Sequence, residues 1–588
     1  MVKTAAGVEV IAAAVAEWSG PVALETTELD PTRDRVRLVQ IGIGDEVALI
    51  DLFALSDPSA DLAPLFAALA GKEVVGHNVQ FDLRMLAPLG FVPGRVYDTM
   101  LASKVLHAGG REETNARLKH GLADVAEREL GRELDKGEQG SDWSGQLSAK
   151  QLVYTATDAA VLLPLAAVLT ERLAAAKLTE TADREMRALP GIAWAELIAV
   201  DTRGWLALAA AAETERASLA TAMDTTAPNP AGLPGMETRN WDSPTQVKDA
   251  FAQVGVTIGA TDDDTLAGVP HPLAGMLCDY RAAAKRVGTY GRAWVEKHVG
   301  ANDLVLPSWN QLGAESGRMS CSDPNLQQIP RGSEYRRCFV ARPGRVLLKA
   351  DYSQVELRIA AKVANEGVMI AAYRDGRDLH TLTAARVLNK PEADVTKADR
   401  QLAKAVNFGL LYGVGWRGLK QYAQANYGVA LTDTQARGYR EAFFRAYPAF
   451  RAWHARTEAH VKKLFDATLE GVHPVHTLGG RRRLLPVSKT GADGTRYPNK
   501  TDALNTPVQG TGADGLKVAI ALLWERRDCS GAPVPVIFCH DEIVLEVPEA
   551  HAEQGADWLR GCMIEAVAPL IDSVPVEVEV TTGCLRCG

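Results

Sequence analysis

Residues 345–358 read Arg-Val-Leu-Leu-Lys-Ala-Asp351-Tyr352-Ser-Gln354-Val-Glu356-Leu-Arg358. The apolar run up to Asp351 has the make-up of a buried strand, and the residues from Val355 take helical spacing. A carboxylate at a strand end, followed at once by a helix, is fixed by two rigid elements, which is where a metal ligand should sit. Much later, Val-Pro-Val-Ile-Phe-Cys-His540-Asp541-Glu542-Ile-Val-Leu-Glu-Val-Pro places an acid pair at the turn of a predicted hairpin. Either acid alone is a common turn residue. Together they supply oxygen ligands for two hard cations. Two Mg²⁺ ions about 3.5–4 Å apart can activate an attacking hydroxyl and stabilise the leaving oxygen of an in-line phosphoryl transfer.

Between these segments lies Arg400-Gln-Leu-Ala-Lys404-Ala-Val-Asn407-Phe408-Gly409-Leu-Leu-Tyr412-Gly413. Positions 400, 404, 408 and 412 advance about 40° per step on a helix, so they form one slowly turning stripe. The stripe presents two cations and then two aromatics. An ordinary amphipathic helix has this pattern, and so does a helix that grips a triphosphate and offers a flat face to a base.

The whole chain has 588 residues, and its length suggests about four structural units. With 51 Gly and 29 Pro it is neither collagen-like nor disordered. No stretch approaches the ~18 unbroken apolar residues of a membrane helix. The N-terminus has one early Lys, is interrupted by Glu9 and Glu17, and makes a poor signal peptide. Eight Cys suit a reducing, intracellular setting with free thiols. Cys584-x-x-Cys587 could be half a zinc site, but no second pair answers it. Net charge is −9, yet windows 281–300, 331–345 and 481–500 together hold sixteen Lys or Arg against three acids. Each window reads as a solvated face; the three together read as a split phosphate-binding surface.

Residues 35–52 predict a hairpin, 74–78 a strand, and Ala/Leu-rich helices follow to about 175, the mixture of a compact α/β domain. Pro190-Gly191 is the expected boundary mark. Residues 192–300 read as mostly helical with a Pro/Gly-rich loop at 228–235. A long helical block is expected over 366–465, a basic loop over 471–500, and a helix and hairpin over 505–548.

Asp351-Tyr-Ser-Gln-Val-Glu-Leu-Arg, the Arg400–Gly413 pattern and His540-Asp-Glu resemble, in order and spacing, motifs A, B and C of the family A DNA polymerases, the bacterial DNA polymerase I type. GRMSCSDPNLQQIP (317–330), DLH (378–380) and NTPVQGTGAD (505–514) match as well, so the resemblance covers about residues 190–588. It implies a DNA-dependent DNA polymerase that adds dNTPs to a primer 3′-hydroxyl. Asp351 and Asp541 would hold two Mg²⁺ ions with the Tyr352 carbonyl, and Glu542 would sit beside them. Arg400 and Lys404 would grip the triphosphate, with Lys404 donating a proton to the leaving pyrophosphate. His380 would add a phosphate contact, and Gln354 would lie at the dNTP. Phe408 would stack on the nucleotide, Tyr412 would flank the templating position, and Glu356 resembles the gate against a ribose 2′-hydroxyl. Arg318, Asn505 and Gln509 resemble contacts to the primer–template minor groove, whose acceptors are shared by correct pairs, and His540 resembles a primer-terminus contact. Where the family often has Arg, four residues before Asn505, this chain has Thr501 with Lys500 adjacent, which puts that contact in doubt.

Ala23-Leu-Glu25, Gly-His77-Asn78-x-x-Phe81-Asp82 and Tyr154-x-x-x-Asp158 resemble the three motifs of DEDDy proofreading exonucleases on a ribonuclease H-like fold, as does SDWSGQLSAKQL (141–152). Glu25, Asp82 and Asp158 would be metal ligands and Tyr154 would orient the attacking water. The family's first Asp is Ala23 here. Loss of a partner around a metal site costs about 10–100-fold, and loss of a bridging ligand should cost more. Glu28 and Asp30 lie nearby but out of register. The nuclease is therefore expected to be inactive or impaired; one sequence fits a natural loss and an engineered one equally.

The expected architecture is α/β and α+β multidomain: exonuclease-like 1–178, thumb 190–304, palm 305–365 and 500–588, and fingers 366–499, in a right-hand arrangement. From the position of the exonuclease-like motif near Met1, the 5′-nuclease domain of bacterial DNA polymerase I is expected to be absent, which would suit a phage replicase, a natural short form or a trimmed chain. A monomer acting in the cytoplasm on primer–template DNA is expected, with a processivity factor left open. A single-subunit RNA polymerase, a nuclease with a decayed polymerase half and a non-enzymatic DNA-binding protein are the alternatives. Glu356, the broken exonuclease motif and the pair Asp351/Asp541 argue against them in turn.

Overall fold

The computed structural model describes residues 1–27, 35–112, 116–228, 239–330, 334–468, 470–491, 494–527 and 533–583. Glu28, Asp30, Cys584 and Cys587 lie outside these ranges. The chain forms two compact units, one of residues 1–195, 309–321 and 348–581, the other of 196–308, 322–347 and the end of the chain from 582.

The N-terminal part of the first unit is built on a mixed sheet. Its strands are β1 (Val22–Thr27), β2 (Leu38–Ile43), β3 (Glu46–Asp51), β4 (Glu73–Gly76) and β5 (Arg95–Asp98), in the order β3-β2-β1-β4-β5. The antiparallel β2–β3 hairpin is the one expected over 35–52, and β4 runs parallel to β1. Helices α1 (Ala5–Glu17), α2 (Pro58–Leu69), α3 (Val79–Leu86) and α4 (Ala149–Ala175) accompany it. Helix α4 begins in a capping box, in which the Ser148 hydroxyl accepts from the Gln151 N–H and the Gln151 side chain accepts from the Ser148 N–H. By length and composition α4 could cross a membrane. Its Leu165, Leu169 and Leu173, however, are buried in one core with Val22, Leu24 and Val39. Helix α5 (Thr179–Ala193) follows.

In the second unit, β6 (Ile198–Val200) pairs antiparallel with β7 (Leu304–Val305) and β8 (Phe339–Val340). Long helices α6 (Thr202–Thr226) and α7 (Pro272–Tyr290) pack together. Trp205 is fully buried, stacked on Trp294 at 3.9 Å between ring centres, and its indole N–H donates to the Tyr290 carbonyl at 2.8 Å. A separate core gathers Trp241, Phe251, Leu273 and Leu277.

The rest of the first unit supplies β9 (Arg345–Tyr352), α8 (Val355–Ala364), α9 (Leu379–Leu388), α10 (Lys397–Leu411) and α11 (Trp416–Tyr427). The basic stretch expected as a loop is two hairpins, β10 (Val472–His476) with β11 (Arg482–Pro486) and β12 (Ser488–Thr490) with β13 (Arg496–Pro498). The apolar run that follows the cations accounts for this, since Leu485 is buried against Val461 and Ala503. Helix α12 (Lys500–Glu525) then leads to β14 (Val534–Cys539), β15 (Glu542–Pro548) and, after a further helix, β16 (Val578–Thr582). These strands and β9 form one sheet in the order β14-β15-β9-β16.

Pro190 and Gly191, the expected boundary mark, lie inside α5, and the opening segment of the first unit ends just beyond them at Ala195. A Cβ at Gly191 would stand 2.7 Å from Ile520 Cγ2 and 2.8 Å from the Ile520 carbonyl oxygen, so the glycine lets α12 pack directly on the helix. Inside the helix the glycine serves packing.

Candidate active site

Asp351 is the penultimate residue of β9, and Asp541 the second residue of the two-residue turn His540–Asp541 between β14 and β15. Strands β15 and β9 are neighbours in the sheet, a spacing of about 4.8 Å. The Tyr352 N–H reaches the Asp541 carbonyl oxygen at 3.4 Å. Two carboxylates almost two hundred positions apart in sequence thus stand on adjacent backbones at one end of the sheet's two central strands. His540 has φ +58°, a backbone state uncommon for a non-glycine residue, and its side chain is exposed. Glu542 is buried, with Lys349 3.5 Å away. The Tyr352 side chain points into the interior, its hydroxyl donating to the Met563 carbonyl at 2.8 Å.

The turn after Asp351 is fastened from below by a residue that the sequence reading did not single out. Arg358 donates to the carbonyls of Ser353 at 2.8 Å and Pro575 at 2.6 Å, and pairs with Glu577 at 2.6 Å. Gln354, at φ +56°, opens α8 and accepts from the Tyr373 hydroxyl at 3.2 Å. Glu356 takes an ion pair from Arg318 and a hydrogen bond from the Tyr412 hydroxyl. Gln509 also bonds to Tyr412, whose hydroxyl is pushed upward first by burial and then by Glu356. Arg318, Glu356, Tyr412 and Gln509 therefore meet, from four segments. The Oδ1 of Asn505, one turn before Gln509, is buried with no hydrogen-bond partner. At the start of α12, Thr501 is exposed and Lys500 lies 3.2 Å from Glu458.

The stripe lies on α10 as expected, with Arg400, Lys404 and Phe408 half-buried and Tyr412 just beyond the helix end. Arg400 is held in a two-pronged grip by Asp378, Nε donating at 3.2 Å and Nη2 at 2.8 Å. Asp378 also caps α9 by accepting from the Thr381 N–H at 2.6 Å. Burial opposes ionisation of Asp378, but Arg400 and the cap bonds outweigh it and hold the carboxyl below its ordinary range. His380 does not lie on the exposed stripe. It is buried beneath Phe408, with ring centres 5.9 Å apart, and its Nδ1 is 2.9 Å from Asn407 Nδ2. Burial holds it down at about 4, so it is neutral at neutral pH.

In the N-terminal domain, Glu25 on β1 and Tyr154 and Asp158 on α4 line a groove of about 200 Å³ with Gln40 and Trp143. Burial, then the charges of Asp158 and Asp82, pushes Glu25 well up. Burial lifts Asp158 to about 6. Asp82 is buried on α3 and lifted to about 7 by burial, although its Oδ1 accepts from the Thr26 N–H at 2.8 Å and the Thr26 hydroxyl at 2.7 Å. Ala23 is fully buried, in a cluster with Val75, Leu162 and Ala166 and opposite Gly42. Among the described residues no three His, Cys, Asp or Glu side chains are gathered so as to hold an ion.

Much of the basic surface expected from the three windows is occupied by acids. Arg481 is buried, Arg483 pairs with Glu315 at 2.9 Å and Lys489 with Asp502 at 2.8 Å. In the second unit, Arg342 pairs with Glu196 at 2.7 Å and Arg286 with Glu215 at 2.7 Å. The acids come from distant parts of the chain, so counting charge by window overstated the exposed excess.

Residues 210–585 match the model of DNA polymerase family A, and residues 1–174 that of a 3′-5′ exonuclease. The chain belongs to DNA polymerase family A. It is 32% identical to DNA polymerase I of Aquifex aeolicus over 94% of each chain, and 32% identical to that of Pseudomonas aeruginosa over 87% of this chain and 56% of the other. The solved structure titled "POL domain of Pol1 from M. smegmatis complex with DNA primer-template and dNTP" matches with a TM-score of 0.78 and 26% identity, covering 98% of this chain and 97% of that one. The fold expected from the sequence is therefore that of the molecule: an exonuclease domain followed by a polymerase domain in a family A DNA polymerase. Members of this family use divalent metal ions.

Proposed function

We propose that this family A polymerase extends a primer 3′-hydroxyl with deoxynucleotides on a DNA template, with its chemistry centred on Asp351 and Asp541. The observation that carries the reading is the placement of Asp351 at the end of β9 beside Asp541 in the turn that opens the neighbouring strand β15, joined through the Tyr352–Asp541 backbone bond. The donor set of two carboxylates and the Tyr352 carbonyl is all hard oxygen, which fits Mg²⁺. When bound there, the ions would make the primer hydroxyl a better nucleophile and neutralise charge on the phosphates.

The chain's own residues do the rest. Arg400, pre-aimed by Asp378, and Lys404 take the triphosphate, and Lys404 donates a proton to the departing pyrophosphate oxygen. Phe408, backed by His380 and Asn407, offers its face to the incoming base, with Gln354 nearby. Glu356, fixed by Arg318 and Tyr412, closes the space beside the sugar C2′. Asn505 and Gln509 donate from their amide nitrogens to the shared acceptors of the minor groove. His540 meets the primer end, and Glu542 stays paired with Lys349. The thumb is read as 190–304, the palm as 305–365 and 500–588, the fingers as 366–499 and the exonuclease domain as 1–178. The protein is read as a cytoplasmic monomer.

The exonuclease site does not fit two ions. Ala23 offers no ligand and sits in apolar surroundings, and Asp82 spends one oxygen on Thr26. The domain is therefore read as impaired in cleavage. A primer-extension assay with and without Mg²⁺, resolving longer and shorter products, tests both halves. Metal-dependent lengthening without shortening is expected. Absence of lengthening sinks the polymerase reading, and robust shortening sinks the exonuclease one.

A further inference from the structure

Glu185 on α5, Arg481 in the turn between β10 and β11, and Asp514 and Lys517 on α12 form a charge cluster in which no residue is more than 3% exposed. Arg481 pairs with Glu185 and donates from Nε to Asp514 at 2.7 Å. Lys517 Nζ lies 3.3 Å from Glu185 and donates to the carbonyls of Gln311 at 2.8 Å and Gly317 at 3.0 Å. Arg184 also stands 3.7 Å from Asp514, so three cations meet two anions, and removing an anion leaves an uncompensated charge in the interior.

This cluster lies directly under the 314–318 turn. Gly317 has φ +90°, and a Cβ there would fall 2.6 Å from Arg481 Nε, so the turn is seated on the guanidinium. From the side, the Ser316 carbonyl approaches to 3.1 Å of where a Cβ on Gly510 would stand. The next residue is Arg318, which pairs with Glu356, and Glu356 accepts from Tyr412. A continuous set of contacts thus runs from Glu185 through Lys517 and Gly317 to Arg318 and Glu356. Glu185 itself lies between the segments matched by the exonuclease and polymerase family models.

We propose that Glu185 is a positioning residue of the polymerase site: by neutralising Arg481 and Lys517 it seats the 314–318 turn and sets the reach of Arg318 to Glu356. The helix that follows the exonuclease domain then contributes to nucleotide checking. The inference rests on the reading of Glu356 as the residue that closes the space beside the sugar.

The test is the ratio of kcat/KM for a dNTP to that for the matching rNTP, in the full chain with primer–template and Mg²⁺. Displacement of a positioned group by about 1 Å can cost about 100-fold, so Glu185→Gln is expected to lower the ratio by about 10- to 100-fold, and Glu185→Asp to recover most of it. A purely structural role moves both substrates by one factor and leaves the ratio unchanged. The ratio is set by the active molecules alone, so a partly unfolded preparation still reports it. The double variant Glu185→Gln/Lys517→Met, which removes one charge of each sign and with it the donor to Gly317, is expected to fold and to show the same loss. A wild-type ratio in either variant overturns the inference. A wild-type chain that extends no primer overturns the underlying reading and the inference with it.

Discussion

Replacing Ala23 by Asp probes the exonuclease domain most sharply. Ala23 is fully buried against Val75, Leu162 and Ala166. A Cβ on Gly42 would already stand 2.8 Å from the Ala23 Cβ, so the new carboxylate has no room towards β2. It must lie along the strand near Glu25 and Asp158, carboxyls already raised by burial. Burying a polar group without a full set of partners costs about 1–3 kcal/mol, and crowding a packed site adds about as much. A loss of about 2–6 kcal/mol is expected in EDTA, which for a domain of this size lowers its melting temperature by about 4–24 °C. Mg²⁺ or Mn²⁺ should restore much of the loss, because a cation replaces the missing partner, and 3′-end shortening should appear. The assay is paired thermal melts with and without metal, beside a single-strand degradation assay. An Ala23→Asp chain as stable in EDTA as the wild type, with no metal response and no cleavage, would refute the reasoning.

Arg400→Ala removes charge-assisted bonds worth about 1.5–3 kcal/mol, so KM for dNTP should rise about 10- to 150-fold in steady-state extension; an unchanged KM would contradict the triphosphate role. His120, His380 and His454 are held from 6.5 down to about 4, first by burial. Between those values the unfolded chain binds protons that the folded chain does not, so the histidines' contribution to stability is full above pH 6.5 and is lost as pH drops towards 4, while Asp82 and Asp158, raised to about 7 and about 6, act in the opposite direction over the same range. Replacing His454 by Gln should therefore raise the Tm at pH 4.5 relative to that at pH 7 when compared with the wild type, and an unchanged pH profile would count against it. Phe408→Tyr should relax rejection of dideoxynucleotides, because its hydroxyl can replace the missing sugar 3′-OH contact. An unchanged ddNTP/dNTP ratio would contradict the stacking assignment.

Local patterns carried much of this molecule. The β2–β3 hairpin, the stripe on α10 and the acids at the end of β9 and in the β14–β15 turn are short-range signals of period and turn, and the fold keeps them. What the sequence hid depends on partners far along the chain. Pro190-Gly191 looks like a break until Ile520 packs on it. Arg481 and Arg483 look like phosphate ligands until Glu185, Asp514 and Glu315 arrive. His380 is read as a phosphate contact from its motif, and only the structure shows that it also packs against Asn407 and Phe408. Nothing in the residues around Glu185 signals its role, because that role exists only once three distant segments converge.

The most direct test is to substitute Asp541 by Ala and measure primer extension beside primer–template binding by fluorescence anisotropy. If the two aspartates act together on the attacking and leaving oxygens, extension should vanish while the dissociation constant for DNA stays near that of the wild type. Extension at the wild-type rate would show that the reaction does not run through this pair.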